Sequence, residues 1–205
     1  MSTLYLEGAA ALALTAAMLT LAQAIRLVGA EASGRRRARC LTLVIGLAAL
    51  VPVNGLSAAR LLLTLSPSLS VSTVAFSLAA IAAAISERPL IRRAELIFLG
   101  GFVLIVSLPL FASVLRLWPL DLYVLGYRFS WMDIVVAGCG ILAAWRGLSA
   151  IALVMLGALV AQFVHLLPSR NLWDGLTDGL AFLVALGLVS RAVAGWLASR
   201  RRRSV

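Results

Sequence analysis

The sequence predicts an all-α integral membrane protein, a polytopic bundle of about seven transmembrane helices without a soluble domain. The first observation is composition: 62% of the 205 residues are hydrophobic and 13% are charged, with a mean hydropathy of +1.05. A soluble domain is about half apolar and about a quarter charged. Because so few charged side chains cannot cover a soluble surface of this size, we expect lipid to cover much of the chain.

The second observation is that the chain divides into seven apolar segments. About 20 apolar residues are needed to cross the hydrocarbon core, and the segments are compared with that length. Arg, Pro or Gly marks the breaks between the segments. We predict one membrane domain, 1–205, with spans at approximately 8–25, 40–59, 71–85, 94–117, 131–145, 148–167 and 176–196 and a basic tail at 197–205.

Two segments decide the number of crossings. The stretch LLLTLSPSLS (61–70) is apolar but contains Pro67 and several serines, which favours an outer connection lying at the membrane interface. The fifth segment is short and carries Asp133 near its start. Five crossings therefore remain an alternative to seven, whereas six would break the alternation of charge described next.

The third observation is the distribution of basic residues, all 18 of which are arginine. With the N-terminus outside, 14 arginines fall on the inner side and 4 on the outer side, the outer ones being Arg60, Arg116, Arg128 and Arg170. The positive-inside rule then predicts an outside N-terminus and a cytoplasmic C-terminus. The absence of Lys beside abundant Ala, Leu and Arg indicates a bacterial inner-membrane protein, whose inner arginines meet anionic lipids.

Several chemistries are excluded by residue type. Without Lys, the chain cannot form a retinal Schiff base, and its single histidine cannot build a bis-histidine haem site or a histidine-rich metal site. No phosphate-binding glycine loop or serine-nucleophile motif is found. Cys40 and Cys139 lie outside any CxxC motif, so we expect no disulfide. The net charge of +10 follows from topology and does not indicate nucleic-acid binding. We predict no catalytic residues, no metal and no cofactor.

The polar residues of most interest lie at the outer ends of the later spans. They are Arg128, Asp133, Gln162, His165, Asp174 and Asp178. Gln162 and His165 are three residues apart and Asp174 and Asp178 four apart, so each pair is expected to share a helix face. Ionisable groups in a membrane are candidates for a ligand or proton site. The competing interpretation is that they snorkel to water or stabilise a helix N-terminus.

Three functions are compatible with these features. The first is a non-catalytic membrane subunit or scaffold of a larger assembly, with a membrane-protein partner or further copies of itself. Short loops and small residues at four-residue spacing, such as Ala75, Ala79 and Ala83, favour it. The second is a small transporter or channel that uses the outer polar residues. The third, with the least support, is a membrane enzyme acting on a lipid-linked substrate at the outer face.

Overall fold

The computed structural model describes residues 2–24, 31–117, 119–127 and 131–203. Regular structure in these ranges is helical, and they contain no strand beyond an isolated bridge between Val53 and Leu56. The all-α prediction is therefore confirmed for this part of the chain. Arg128, one of the predicted site residues, lies outside the described residues.

Seven helices of 15 residues or more run through the described ranges. They are α1 (Ser2–Ala24), α2 (Ala32–Leu50), α4 (Val71–Ile85), α5 (Arg93–Val114), α6 (Trp131–Trp145), α7 (Ser149–Phe163) and α9 (Gly179–Arg203). Two shorter helices, α3 (Ala58–Leu65) and α8 (Leu172–Leu176), and a 3₁₀ helix (Tyr123–Gly126) lie between them.

Length divides the apolar helices into two groups. Among the described residues, Thr3–Ala24, Arg93–Val114 and Gly179–Arg201 are long and apolar enough to cross a membrane. Helices α4, α6 and α7 are apolar but have 15 residues each. At 1.5 Å per residue they rise about 22 Å, which is less than the ~30 Å hydrocarbon core of a bilayer.

Helix α2 lies earlier in the chain than the span predicted at 40–59. Arginine and alanine are good helix formers, so the run Arg35–Arg39 extends the helix, although its charge marks the edge of an apolar segment. The helix ends at Leu50, ahead of Pro52, and the chain turns at Asn54 and Gly55, whose φ angles are 52° and 83°. Part of the predicted interfacial connection is helical, as α3.

The helices pack in two groups joined by α4. Helix α1 contacts α2, α3 and α4, while α5 contacts α7 and α9, and α6 packs on α7. Helix α4 also contacts α7, α8 and α9. The main core contains Leu99, Val103, Val154 and Leu172, all essentially inaccessible to solvent.

Many large apolar side chains face outward. Ile105 and Phe163 are 73% and 83% exposed, and others are distributed over α2, α6 and α9. Soluble monomers rarely expose contiguous apolar surface of this kind. With three helices long enough to span, the exposed apolar surface indicates a membrane protein.

Helices α5, α6 and α7 end in the same way. At each end, one residue with positive φ donates its N–H three residues back, and the next donates five residues back; these left-handed residues are Arg116, Gly147 and His165. This hydrogen-bond pattern is a Schellman motif, which satisfies the last carbonyls of a helix. His165 therefore closes α7.

Candidate functional site: two grooves at one end of the bundle

The Asp178 carboxylate joins the N-termini of two helices. Its Oδ1 accepts from the Ala181 N–H at 2.7 Å and so caps α9. Its Oδ2 accepts from the Ser70 N–H at 2.6 Å, and Thr73 Oγ1 donates to the carboxylate at 2.7–2.8 Å, both at the start of α4. A carboxylate is favourable at a helix N-terminus because it satisfies free N–H groups and opposes the helix dipole.

Two hydroxyl contacts fix the chain just before Asp178. Ser72 Oγ, on α4, donates to the carbonyl oxygen of Leu176. Ser107, buried within α5, shares a hydrogen bond of 2.6 Å with the Thr177 hydroxyl. The break between α8 and α9 is therefore held from one side by α4 and from the other by α5.

Helix α8 holds the 3₁₀ helix in place. The Tyr123 hydroxyl donates to Asp174 Oδ1 at 2.6 Å, and the side chains of Asn171 and Trp173 donate to the carbonyls of Tyr123 and Leu122, each at 3.0 Å. Burial, and then the hydrogen bond with Asp174, raises the pKa of the Tyr123 phenol well above its ordinary value. The phenol therefore stays protonated and donates at neutral pH.

Gly126 ends the 3₁₀ helix where the two segments approach most closely. A Cβ at this position would lie 1.9 Å from Asn171 Oδ1 and 2.6 Å from Trp173 Cδ1. Only glycine fits against this pair without displacing them.

These contacts lie near the C-terminal end of α5. At the opposite end of the bundle the Glu95 carboxylate, in the first turn of α5, accepts a hydrogen bond from the Ala150 N–H at the start of α7. This contact places the starts of the two helices side by side. From there α5 rises about 28 Å to Val114, whereas α7 rises about 20 Å to Phe163, at ~1.5 Å per residue. By the same measure Ser107 lies about 10 Å before the end of α5. Residues 164–178 follow α7, and Thr177 in this stretch contacts Ser107.

Two grooves open beside this region. The carboxylate groove, of about 720 Å³, has Asp174, Asp178, Tyr123 and Thr177 among apolar residues of α3, α5 and α9. The histidine groove, of about 650 Å³, lies between the start of α6 and the end of α7. Its polar residues are Tyr127, Asp133, Gln162, His165 and Arg170.

The structure divides the predicted site residues between these grooves. Asp133, Gln162 and His165 line the histidine groove, and Asp174 and Asp178 line the carboxylate groove. The predicted shared helix faces are not found. Helix α7 ends at Phe163, before His165, and the break at Thr177 places Asp174 in α8 and Asp178 ahead of α9.

Asp133 is buried in the first turn of α6, whereas His165 is exposed. Gln162 donates to the Arg170 carbonyl at 3.4 Å, which connects the end of α7 to the following loop. The walls below are apolar, with Ile134, Val160 and others from α6 and α7. A polar rim above apolar walls suits an amphipathic ligand.

Sequence reasoning missed the partners of these carboxylates. Ser70 and Thr73 follow a proline-containing stretch. A serine before an apolar run is a helix N-cap signal, so the start of α4 at Ser70 could have been predicted from the sequence. Ser107 and Tyr123 carry no local signal, because their partners lie 70 and 51 residues away along the chain.

The described residues hold no group of three or more His, Cys, Asp or Glu side chains arranged to bind a metal ion. Cys40 and Cys139 are both exposed and unpaired with each other. Comparison with protein-family models, with curated proteins and with solved structures finds no match to this chain.

Proposed function

We propose that this chain is a non-catalytic subunit or scaffold of a larger assembly in a bacterial inner membrane, crossing it seven times with the N-terminus outside. One observation carries the proposal. The outer carboxylates Asp174 and Asp178 each bind a second structural element through hydrogen bonds. Their geometry serves to hold helices together, which is the work of a packed membrane scaffold.

The ion pairs fit the crossings proposed for the first three spans. Glu7 binds Arg60 at 2.8 Å, and the positive-inside count assigns both residues to the outer side. Arg35 binds Glu87 at 2.6 Å, and the count assigns both to the inner side. Two crossings lie between the members of each pair, which places them on common faces.

The short helices fit the same topology if neighbouring segments complete each crossing. Helix α7 is followed by residues 164–178, which reach α5 through the Thr177 hydroxyl. Non-helical backbone is tolerated at membrane depth where protein covers it, and Asn171, Leu172 and Thr177 in this stretch are buried.

The surface of α9 supports a partner-binding role. Among its described residues only Ala181 and Ala185 are buried, and the main helix contacts of α9 are with α5 and α4. Leu183 and Leu186 face outward. This leaves most of a long apolar helix available to a neighbouring subunit or to lipid.

Site-specific photo-cross-linking tests the scaffold role. A photoreactive residue replacing Leu186 is expected to give a protein adduct of one defined mass in native membranes. The matched control is the same residue replacing Leu4, which is exposed near the start of α1. Adducts to lipid alone at both positions would count against a subunit role.

A small transporter or channel is the second candidate, because Asp133, Gln162 and His165 converge on one groove. It predicts that Asp133→Asn abolishes a solute flux in proteoliposomes while leaving the fold intact. Phe163→Leu, which changes an apolar wall of the same groove, is the control. Equal flux in the wild type and in Asp133→Asn would remove this candidate.

A further inference from the structure

The arginines at the start of α2 differ in their partners. Arg35 forms an ion pair with Glu87, and Arg39 Nε donates to the carbonyl of Ile85 at 3.2 Å. Both face the end of α4. Arg36 and Arg37 are exposed, and neither makes a hydrogen bond or ion pair with any residue that the structure describes.

The face that carries Arg36 and Arg37 continues along the helix as an apolar stripe. With about 100° between successive residues, Arg36, Arg37, Cys40, Val44 and Leu47 share one side of α2. All are exposed, with Val44 at 63% and Leu47 at 66%. The opposite side is buried, as Ala38 and Ala49 show.

The dimensions of this face match a phospholipid. From Arg37 to Leu47 the helix rises about 15 Å, which is half of a ~30 Å hydrocarbon core and so one leaflet. A surface hollow of about 540 Å³ lies at the charged end, lined by Ser33, Arg36, Arg37 and Cys40. The Ser33 hydroxyl donates to Glu31 at 2.9 Å, so the two guanidinium groups are the donors left for an anion.

We propose that Arg36 and Arg37 bind the phosphate of an anionic phospholipid whose acyl chain lies along Val44 and Leu47. Guanidinium groups bind phosphate through paired N–H donors. The net charge of this face favours an anionic headgroup over a zwitterionic one. The site needs only that the chain lies in a membrane, so it does not rest on the scaffold role.

Lipid-dependent fluorescence quenching tests the site. Val44→Cys, in a background of Cys40→Ala and Cys139→Ala, is labelled with bimane and reconstituted in phosphatidylcholine vesicles. The vesicles contain either dibrominated phosphatidylglycerol or dibrominated phosphatidylcholine. We expect stronger quenching by the brominated anionic lipid, which gives its relative association constant.

The double variant Arg36→Gln/Arg37→Gln is expected to lower that relative constant about 30-fold, at about 1 kcal/mol for each arginine near the membrane surface. Arg35→Gln/Arg39→Gln, from the same run, is the matched control and should lower it much less, because Arg35 already pairs with Glu87 and Arg39 donates to the carbonyl of Ile85. If the control destabilises the protein, Arg88→Gln/Arg92→Gln replaces it.

Equal losses in both double variants would show that the lipid preference comes from the overall positive charge of this end of the protein and not from a defined site, which overturns the proposal. An unchanged preference in Arg36→Gln/Arg37→Gln would overturn the proposal outright. Should that variant instead lose a protein cross-link while keeping its lipid preference, the arginines bind an acidic protein surface, which also overturns it. The photo-cross-link at position 186 stands or falls separately, so failure of the scaffold role is distinguishable.

Discussion

The carboxylate of Asp178 accepts a hydrogen bond from the backbone N–H of Ser70, 108 residues earlier in the chain, at 2.6 Å. The same carboxylate caps α9, so one side chain holds the starts of two helices together. This contact joins the N-terminal group of helices to the C-terminal group. The polar residues at this end of the bundle therefore have a structural role that can be measured directly.

Asp178→Asn should lower the free energy of unfolding by about 1–3 kcal/mol, because its amide NH₂ would face donors in place of an acceptor. Thermal unfolding in detergent measures the change. Asp121→Asn is the matched control, since Asp121 is exposed and accepts one bond from the Tyr123 N–H at 3.1 Å. Equal stability of the two variants would show that Asp178 does not lock the helices.

Gly126→Ala should also destabilise the fold, by about 1–3 kcal/mol, because the new methyl group overlaps Asn171 and Trp173. Gly138→Ala, on α6, provides the control: its added methyl meets nothing within 4 Å. Since alanine is favoured over glycine within a helix, this control should gain up to about 1 kcal/mol. Unfolding curves that do not separate the two variants would contradict the packing of α8 against the 3₁₀ helix.

His165 adopts a φ of 53°, in the left-handed region. His165→Gly should keep or slightly raise stability, whereas His165→Val should lose about 1–2 kcal/mol through backbone strain. Under the scaffold role, His165→Gly also keeps the cross-link at position 186. Loss of that cross-link in a stable His165→Gly protein would assign the imidazole a role beyond closing α7.

The raised pKa of Tyr123 predicts a pH dependence at the alkaline end. Because the folded state holds this proton more tightly than the unfolded state, the stabilisation is complete below the ordinary tyrosine pKa of about 10 and is lost as pH rises above it. Tyr123→Phe should therefore show a smaller loss of stability between pH 9 and 11.5 than the wild type. Parallel pH profiles for the two proteins would contradict the buried hydrogen bond to Asp174.

The orientation predicts which loops react from outside the cell. In the Cys40→Ala/Cys139→Ala background, Asp121→Cys should react with an impermeant maleimide on intact spheroplasts. Leu90→Cys should react only after permeabilisation. Both positions are exposed and lie on opposite ends of α5. The reverse pattern would invert the orientation obtained from the arginine count.

Apolar segments and their breaks predicted much of the helical structure. The segments expected at 71–85 and 131–145 coincide with α4 and α6. The span predicted at 40–59 begins later than α2 because hydropathy marks the edge of an apolar segment, whereas the charged run from Arg35 to Arg39 still forms helix. The break at Thr177 was missed because the residues that hold it, Ser107 in α5 and Ser70 just before α4, are distant in the sequence. Residue types suggested the carboxylates, but only the fold could show which element each one binds.

Native mass spectrometry of the protein, purified from its own membrane in a mild detergent, tests the scaffold proposal most directly. The chain has a mass of 21.7 kDa. The proposal predicts a particle heavier by a stoichiometric protein partner or by a whole number of further copies. A lone chain of 21.7 kDa, carrying lipid alone and stable in that detergent, would contradict it.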